Sequence, residues 1–220
     1  MIEHVWRRAR QAGSLREVLV ATDDRRIEEA CRDFGARCIR TRSDHPTGSD
    51  RLGEVAAMLD DDIVVNIQGD EPLIEGFVID AAVEALRDDP RVPMSTVVHA
   101  ADPADLDDPN RVKVAIDRRG RALYFSRSAI PYAREARPAT DRSHWQHVGL
   151  YAYRRPFLLE LIRLPQTPAE LSEGLEQLRV LEHGHAIRAA TIEGWHSVPV
   201  DVPADVARVE AVLRANGSHA

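Results

Sequence analysis

Four polar groupings in this chain carry residue types that could meet a metal ion or a phosphate. The first is Gln68-Gly69-Asp70-Glu71-Pro72, two carboxylates at the end of the β-branched run Ile63-Val64-Val65-Asn66-Ile67. Carboxylates hold divalent cations, and in open α/β sheets ligands are met beyond the carboxyl ends of the strands. The same residues also read as a Gly-Asp turn with solvated acids and a proline that stops the strand. The second grouping is Gly48-Ser49-Asp50-Arg51, in the polar loop 41–51. Beside a helix N-terminus, Ser49 and Arg51 suit a nucleotide; read plainly, Thr47 or Ser49 caps a helix that leaves a surface loop. His147 with Tyr151, and Asp201 ahead of Pro203, complete the set. A satisfied structural histidine and an acid paired with a helix dipole are their plain readings. None of the four decides alone.

The elements that must position them follow from periodicity. Ile2, Val5, Trp6 and Ala9 recur at helical spacing with Gly13 after them, so an amphipathic helix opens the chain. A strand at 18–22, a helix through Ile27, Ala30, Cys31 and Phe34 capped by Asp23 or Asp24, and a short strand near Cys38-Ile39 make a βαβ unit. Further helices are expected at 52–59 and 78–86, with the strand 63–67 between them buried on both faces. This rhythm predicts a three-layer α/β/α domain around a mostly parallel sheet. Strand-like runs at 94–99, 112–116 and 122–125 then predict a β-hairpin turning at Arg119-Gly120. Residues 126–146, with Arg134, Arg137 and Arg142, read either as an insertion forming a partner surface or as a mobile loop. Strands at 147–153, 187–192 and 198–200, helices at 157–161 and 171–181, and a closing helix from Pro203 complete the reading.

A chain of 220 residues, 44% apolar and 30% charged, has the composition of a single soluble domain with a sizeable core. A net charge of -7 argues against nucleic acid as the partner, since phosphate contacts need a basic face, but it is compatible with a nucleotide held through a divalent cation. Cys31 and Cys38 show no metal or redox spacing, and no apolar run is long enough to span a bilayer. These features predict a cytoplasmic protein with neither nucleic-acid binding nor membrane insertion.

In order along the chain, Thr47-Gly48-Ser49-Asp50-Arg51-Leu52, Val64 to Pro72, Val112-Lys113-Val114, Ala122 to Arg127 with Ile130-Pro131, His147 to Tyr153, Leu175 to Arg179, and Val200-Asp201 resemble the 3-deoxy-manno-octulosonate cytidylyltransferases. The resemblance spans essentially the whole chain, and its Gln-Gly-Asp-Glu-Pro and Tyr-Phe-Ser-Arg blocks are the most diagnostic. It implies the α/β fold of nucleotide-activating sugar transferases and transfer of CMP from CTP to 3-deoxy-D-manno-octulosonate, with pyrophosphate released, for lipopolysaccharide assembly. It further implies Mg²⁺ as cofactor, held by Asp70 and Asp201 as the metal-binding, catalytic acids, with Glu71 holding the loop. Ser49 and Arg51 match the nucleotide contacts. Gln68, Arg127, His147, Tyr151, Glu176 and Gln177 match the sugar-acid contacts. A homodimer formed through the region about 122–146 is also implied.

One departure accompanies the resemblance. Members of that family open on a strand and a basic, glycine-containing loop that holds the triphosphate, and this chain is expected to begin after both. The sheet would then lack a central strand and the site its main phosphate-binding cations, which makes the activity of this polypeptide a question. The rival readings are a sister enzyme for a sialic or 8-amino sugar acid and a non-catalytic nucleotide- or sugar-binding remnant. A phosphatase using Asp70 as nucleophile lacks the matching acid two residues later.

Overall fold

A computed structural model describes residues 1–134 and 143–217. Its organising strand is β7, Trp145–Arg154, whose ten residues are bordered along both edges. On one edge its first residues pair with β5, Lys113–Ile116, and its second half pairs antiparallel with β3, Ile63–Ile67, from Ile67↔Leu150 to Ile63↔Arg154. The other edge takes β4, Met94–Ala100, antiparallel, and β4 in turn takes β8, Ile187–Ile192, parallel. β5 forms the expected hairpin with β6, Ala122–Ser126, and Gly120 has the positive φ of 70° that its turn requires.

The α/β class is as expected, and the strand directions are more mixed than the alternating rhythm implies. β3, β4, β5 and β8 run one way, and β6 and β7 return against them, because β7 re-enters the sheet from the hairpin instead of from a crossover helix.

Side-chain alternation along β7 divides the core. Val148, Leu150 and Ala152 face the helix α4, Gly76–Asp88, and pack with its Ile79, Val83 and Leu86. Tyr151 and Tyr153 face the opposite way, into a cluster with Val98, Phe125, Leu158 of the helix α5, Arg155–Leu161, and Leu178. A separate βαβ unit is built from β1, Val20–Thr22, α2, Arg25–Phe34, and β2, Cys38–Arg40. Asp24 caps α2, and Gly35 ends it in the left-handed conformation. The opening helix α1, Ile2–Ala9, docks on this unit through Trp6, whose ring meets Phe34 and whose Nε1 donates to the Val18 carbonyl at 3.2 Å.

Three expectations are corrected. β3 is not buried on both faces: only Val64 is, because among the described residues β3 pairs with β7 alone and its other edge borders a cavity. The helix expected at 171–181 is two short helices, α6, Pro168–Glu173, and α7, Gln177–Glu182, separated where Gly174 takes φ 61°. Residues 198–200 run extended without joining a sheet, since the Val200 N–H is taken by the Asp70 carbonyl at 2.9 Å. Arg134 is exposed, and Arg137 and Arg142 lie outside the described residues.

Candidate active site

Between β1 and β3 opens a cavity of about 1220 Å³, and all ten site residues expected from the sequence line it. Each strand turns an edge toward it that is unpaired among the described residues.

Asp70 follows the end of β3. Its Oδ1 is buried with no hydrogen-bond partner, and burial, reinforced by the charge of Asp201, raises its pKa. Glu71 turns the other way, 3% exposed, and accepts from the Ser197 hydroxyl at 2.6 Å and the Gly149 N–H at 3.3 Å. Burial pushes its pKa up to about 7 against the Ser197 hydrogen bond. The expectation that Glu71 holds the loop describes this geometry.

Asp201 begins the turn into α8, Pro203–Gly217. The Asp205 Oδ2 accepts from the N–H groups of Asp201 and Val202, both at 3.1 Å, and fixes that turn. Burial raises the Asp201 pKa while the Arg111 guanidinium, 3.5 Å from its Oδ2, opposes the rise.

The nucleotide-side pair sits on α3, Gly48–Ala56, which Thr47 caps by accepting from the Asp50 N–H. Ser49 is buried in the first turn of α3. Arg51 is held by Asp23 at 2.9 Å, by the Thr41 hydroxyl and by the Arg42 carbonyl, so its guanidinium braces the loop at 41–51. Glu176 accepts from the N–H groups of Gly48 and Ser49, both at 3.3 Å, joining the α6–α7 junction to the start of α3. A carboxylate there satisfies donors that a helix N-terminus otherwise leaves free.

On the wall opposite, His147, Gly149 and Tyr151 share one face of β7. His147 lies against Tyr151 at 5.1 Å, meets Phe125 edge-on, and pairs through Nε2 with the Thr96 hydroxyl at 3.0 Å. Burial pushes its pKa down to about 3, so the ring is neutral at physiological pH. Burial also holds the Tyr151 phenol well above its ordinary range. Gln68 lies over Gly149 so closely that a Cβ there would stand 2.6 Å from its Oε1. Gln177 is buried at the start of α7.

Arg127 lines the cavity, yet its guanidinium donates to three backbone carbonyls, of Glu173, Pro109 and Gly174. Glu173 returns the link by accepting from the Ser126 hydroxyl and the Arg127 N–H. Sequence reasoning passed over Arg111, Glu173, Ser197 and Thr96. Arg111 had a signal, a lone cation in the acidic stretch before Val112-Lys113-Val114; the others contact site residues far away in sequence, which no spacing reveals.

Among the described residues no group of three or more His, Cys, Asp or Glu side chains could hold a metal ion. A divalent cation would therefore need oxygens from its substrate beside Asp70 and Asp201, which is how magnesium is ordinarily bound with phosphates. The orphaned Asp70 Oδ1 fits that role.

A mixed α/β sheet that brings two acids and a helix start to one cavity defines a nucleotidyltransferase of the nucleotide-diphospho-sugar transferase fold. The profile of the family described as Cytidylyltransferase matches residues 1–187. A 3-deoxy-manno-octulosonate cytidylyltransferase of Syntrophotalea carbinolica is 48% identical over 97% of this chain and 88% of its own length; one of Escherichia coli is 45% identical over 97% and 85%. The solved structure of a CMP:2-keto-3-deoxy-manno-octonic acid synthetase complexed with CTP superimposes with a TM-score of 0.90 at 42% identity, covering 98% of this chain and 88% of that one. A glucose-1-phosphate thymidylyltransferase structure from Bacillus anthracis, 16% identical with a TM-score of 0.65 over 97% of this chain and 82% of its own, shares the fold. This chain belongs to the cytidylyltransferase family, among the 3-deoxy-manno-octulosonate cytidylyltransferases.

Proposed function

We propose that this protein transfers CMP from CTP to 3-deoxy-D-manno-octulosonate, releasing pyrophosphate, for lipopolysaccharide assembly. The observation that carries the reading is the convergence on one cavity of all ten residues matched to that family, in a chain 45% and 48% identical to two of its members. The anomeric hydroxyl oxygen bonds to the α-phosphorus as its proton passes to water, the bridging P–O bond to the β-phosphate breaks, and its electron pair leaves on pyrophosphate. Such a displacement is catalysed mainly by positioning and charge neutralisation.

Asp70 and Asp201 are the residues that would hold Mg²⁺, which supplies charge neutralisation at the phosphates when bound. Ser49 and Arg51 shape the nucleotide side of the cavity through α3 and its preceding loop. The sugar acid needs neutral hydrogen-bonding groups for its hydroxyls, and the neutral His147 ring, the protonated Tyr151 phenol, Gln68 and Gln177 supply them. Arg127 offers positive charge toward the sugar carboxylate while it orders the segment ending in Glu176. No side chain of the site is assigned as general base.

The same reading takes the protein as a cytoplasmic homodimer. Among the described residues no helix is long and apolar enough to cross a membrane. Leu123 and Tyr124 on β6, 62% and 39% exposed, and Tyr132, 88% exposed, support the region about 122–146 as the face between copies. Sedimentation equilibrium tests this, and a monomer at all measured concentrations overturns it.

The function is tested by pyrophosphate release from CTP with Mg²⁺ and a panel of sugar acids. Release with 3-deoxy-D-manno-octulosonate is expected. Release only with a sialic or 8-amino sugar acid moves the substrate to a sister activity, and nucleotide binding with no release for any acid marks a non-catalytic remnant.

A further inference from the structure

Arg111 is a buried cation, 5% exposed, set among three carboxylates. Its Nη1 lies 3.5 Å from Asp201 Oδ2, its Nη2 3.6 Å from Asp205 Oδ1 and its Nε 3.9 Å from Asp108 Oδ2. The exposed Arg208 also approaches Asp205 Oδ1, at 3.8 Å. Arg111 is itself fixed from below. Its N–H donates to the Asp108 carbonyl at 3.2 Å, and the buried Lys113 Nζ donates to that same carbonyl at 2.8 Å, so the segment leading into β5 is rigid.

Two consequences follow from this placement. First, Arg111 acts on the Asp201 turn twice, directly on the Asp201 carboxylate and through Asp205, whose other oxygen holds the Asp201 and Val202 N–H groups. A planar fork anchored this way fixes a carboxylate's direction as well as its charge. Second, a fixed positive charge beside Asp201 repels any other cation that approaches the same acid. A divalent ion arriving alone meets that repulsion, whereas one arriving on a triphosphate carries net negative charge and is attracted by it.

We propose that Arg111 is a positioning residue that aligns Asp201 in the metal-free protein and, through its charge, makes the divalent cation enter together with the nucleotide. The inference rests on the reading of Asp70 and Asp201 as the cation's protein ligands.

The test is Mn²⁺ binding to the nucleotide-free protein, measured by the electron paramagnetic resonance of free Mn²⁺. Arg111→Gln is expected to bind Mn²⁺ alone at least about tenfold more tightly than the unaltered protein, because the repulsion removed outweighs the alignment lost in a turn that Asp205 and the Val200 N–H still hold. Arg111→Lys, which keeps the charge, is expected to stay within about threefold of the unaltered protein. Equal or weaker binding by Arg111→Gln, with a thermal unfolding midpoint that shows it folded, overturns the proposal. Should Arg111→Gln not fold, the unaltered protein supplies the readout through the nitrogen NMR signal of the Arg111 guanidinium. That signal is expected to move as Mg²⁺ is titrated to saturation, and a stationary signal overturns the proposal. Asp201→Asn separates the two levels: lost Mn²⁺ binding supports the cation site, and unchanged binding removes both the site and this inference, while leaving the substrate assignment to the pyrophosphate assay.

Discussion

The N–H of Val200 donates to the carbonyl of Asp70 at 2.9 Å, so the segment carrying Asp201 is fastened to the backbone of the other site acid. Glu71 fastens the same segment a second time through Ser197. The two acids thus share a backbone frame that neither side chain has to maintain. Asp70→Asn and Asp201→Asn are accordingly expected to keep the fold and each to lower the rate of CMP transfer by about 10³-fold, a loss typical of deleting an electrostatic stabiliser of the reaction. For Asp70→Asn the thermal midpoint without metal is expected to be no lower than that of the unaltered protein, since a half-buried carboxylate whose buried Oδ1 has no hydrogen-bond partner becomes neutral. A large drop in the midpoint would show Asp70 to be structural.

Gly149 carries a specificity prediction. Gly149→Ala puts a Cβ 2.6 Å from Gln68 Oε1 and 3.0 Å from its Cδ, so Gln68 must swing off the cavity wall. Gln68 is exposed and flexible, which keeps the effect on stability within about 1 kcal/mol. KM for the sugar acid is expected to rise about tenfold, with kcat less affected and KM for CTP unchanged. Steady-state kinetics with each substrate varied in turn check this; an equal rise for CTP would place Gln68 outside the sugar side.

How far these relationships could be read in advance depends on their range. The βαβ unit, the β5–β6 hairpin and the caps at Asp24 and Thr47 are local in sequence, where periodicity and turn chemistry are informative. The break at Gly174 escaped because the leucines on either side keep helical spacing through it, while Gly174 ends α6 as a left-handed cap with its N–H on the Glu170 carbonyl. The ten candidate site residues share one cavity, yet the partners they hold in it were not legible. Glu176 on the start of α3 and Arg127 on three carbonyls are pairings over 18 to 128 residues that spacing does not encode. Residues 198–200 show the converse: an alternating apolar pattern that looked like a strand is an extended tether because its donor goes to Asp70.

Glu170 and Arg179 form an ion pair across the α6–α7 junction, with side chains 4% and 5% exposed. Arg179 Nε donates to Glu170 Oε2 at 2.8 Å, and the Thr167 N–H donates to that same oxygen. Breaking a buried pair strands the surviving charge, so Glu170→Ala is expected to destabilise the protein by about 3–5 kcal/mol in urea unfolding. Replacing both by methionine should cost markedly less than the single change. Because this junction carries Glu176 to α3, the single variant is also expected to weaken CTP binding, measured by calorimetry at a temperature where it remains folded.

His147 supplies a prediction in pH. Burial holds its folded pKa at about 3, below an ordinary value of 6.5, and the nearby His99 acts in the same direction. Between these values the unfolded chain binds a proton that the folded protein refuses. The stability His147 contributes is therefore present above pH 6.5 and is lost as pH falls toward 3, amounting to a few kcal/mol after allowance for its partial exposure. In the folded protein its imidazole signals are expected to show no protonation above pH ~5, while an exposed histidine titrates near 6.5. His147→Gln keeps a neutral hydrogen-bonding group facing Thr96 but cannot take up that proton. It should flatten the dependence of unfolding free energy on pH between 6.5 and 4, read by urea titration at each pH. A His147 ring that titrates near 6.5 would mean that the wall of the cavity charges at neutral pH, and the neutral donor-acceptor assigned to the sugar hydroxyls would have to be another residue.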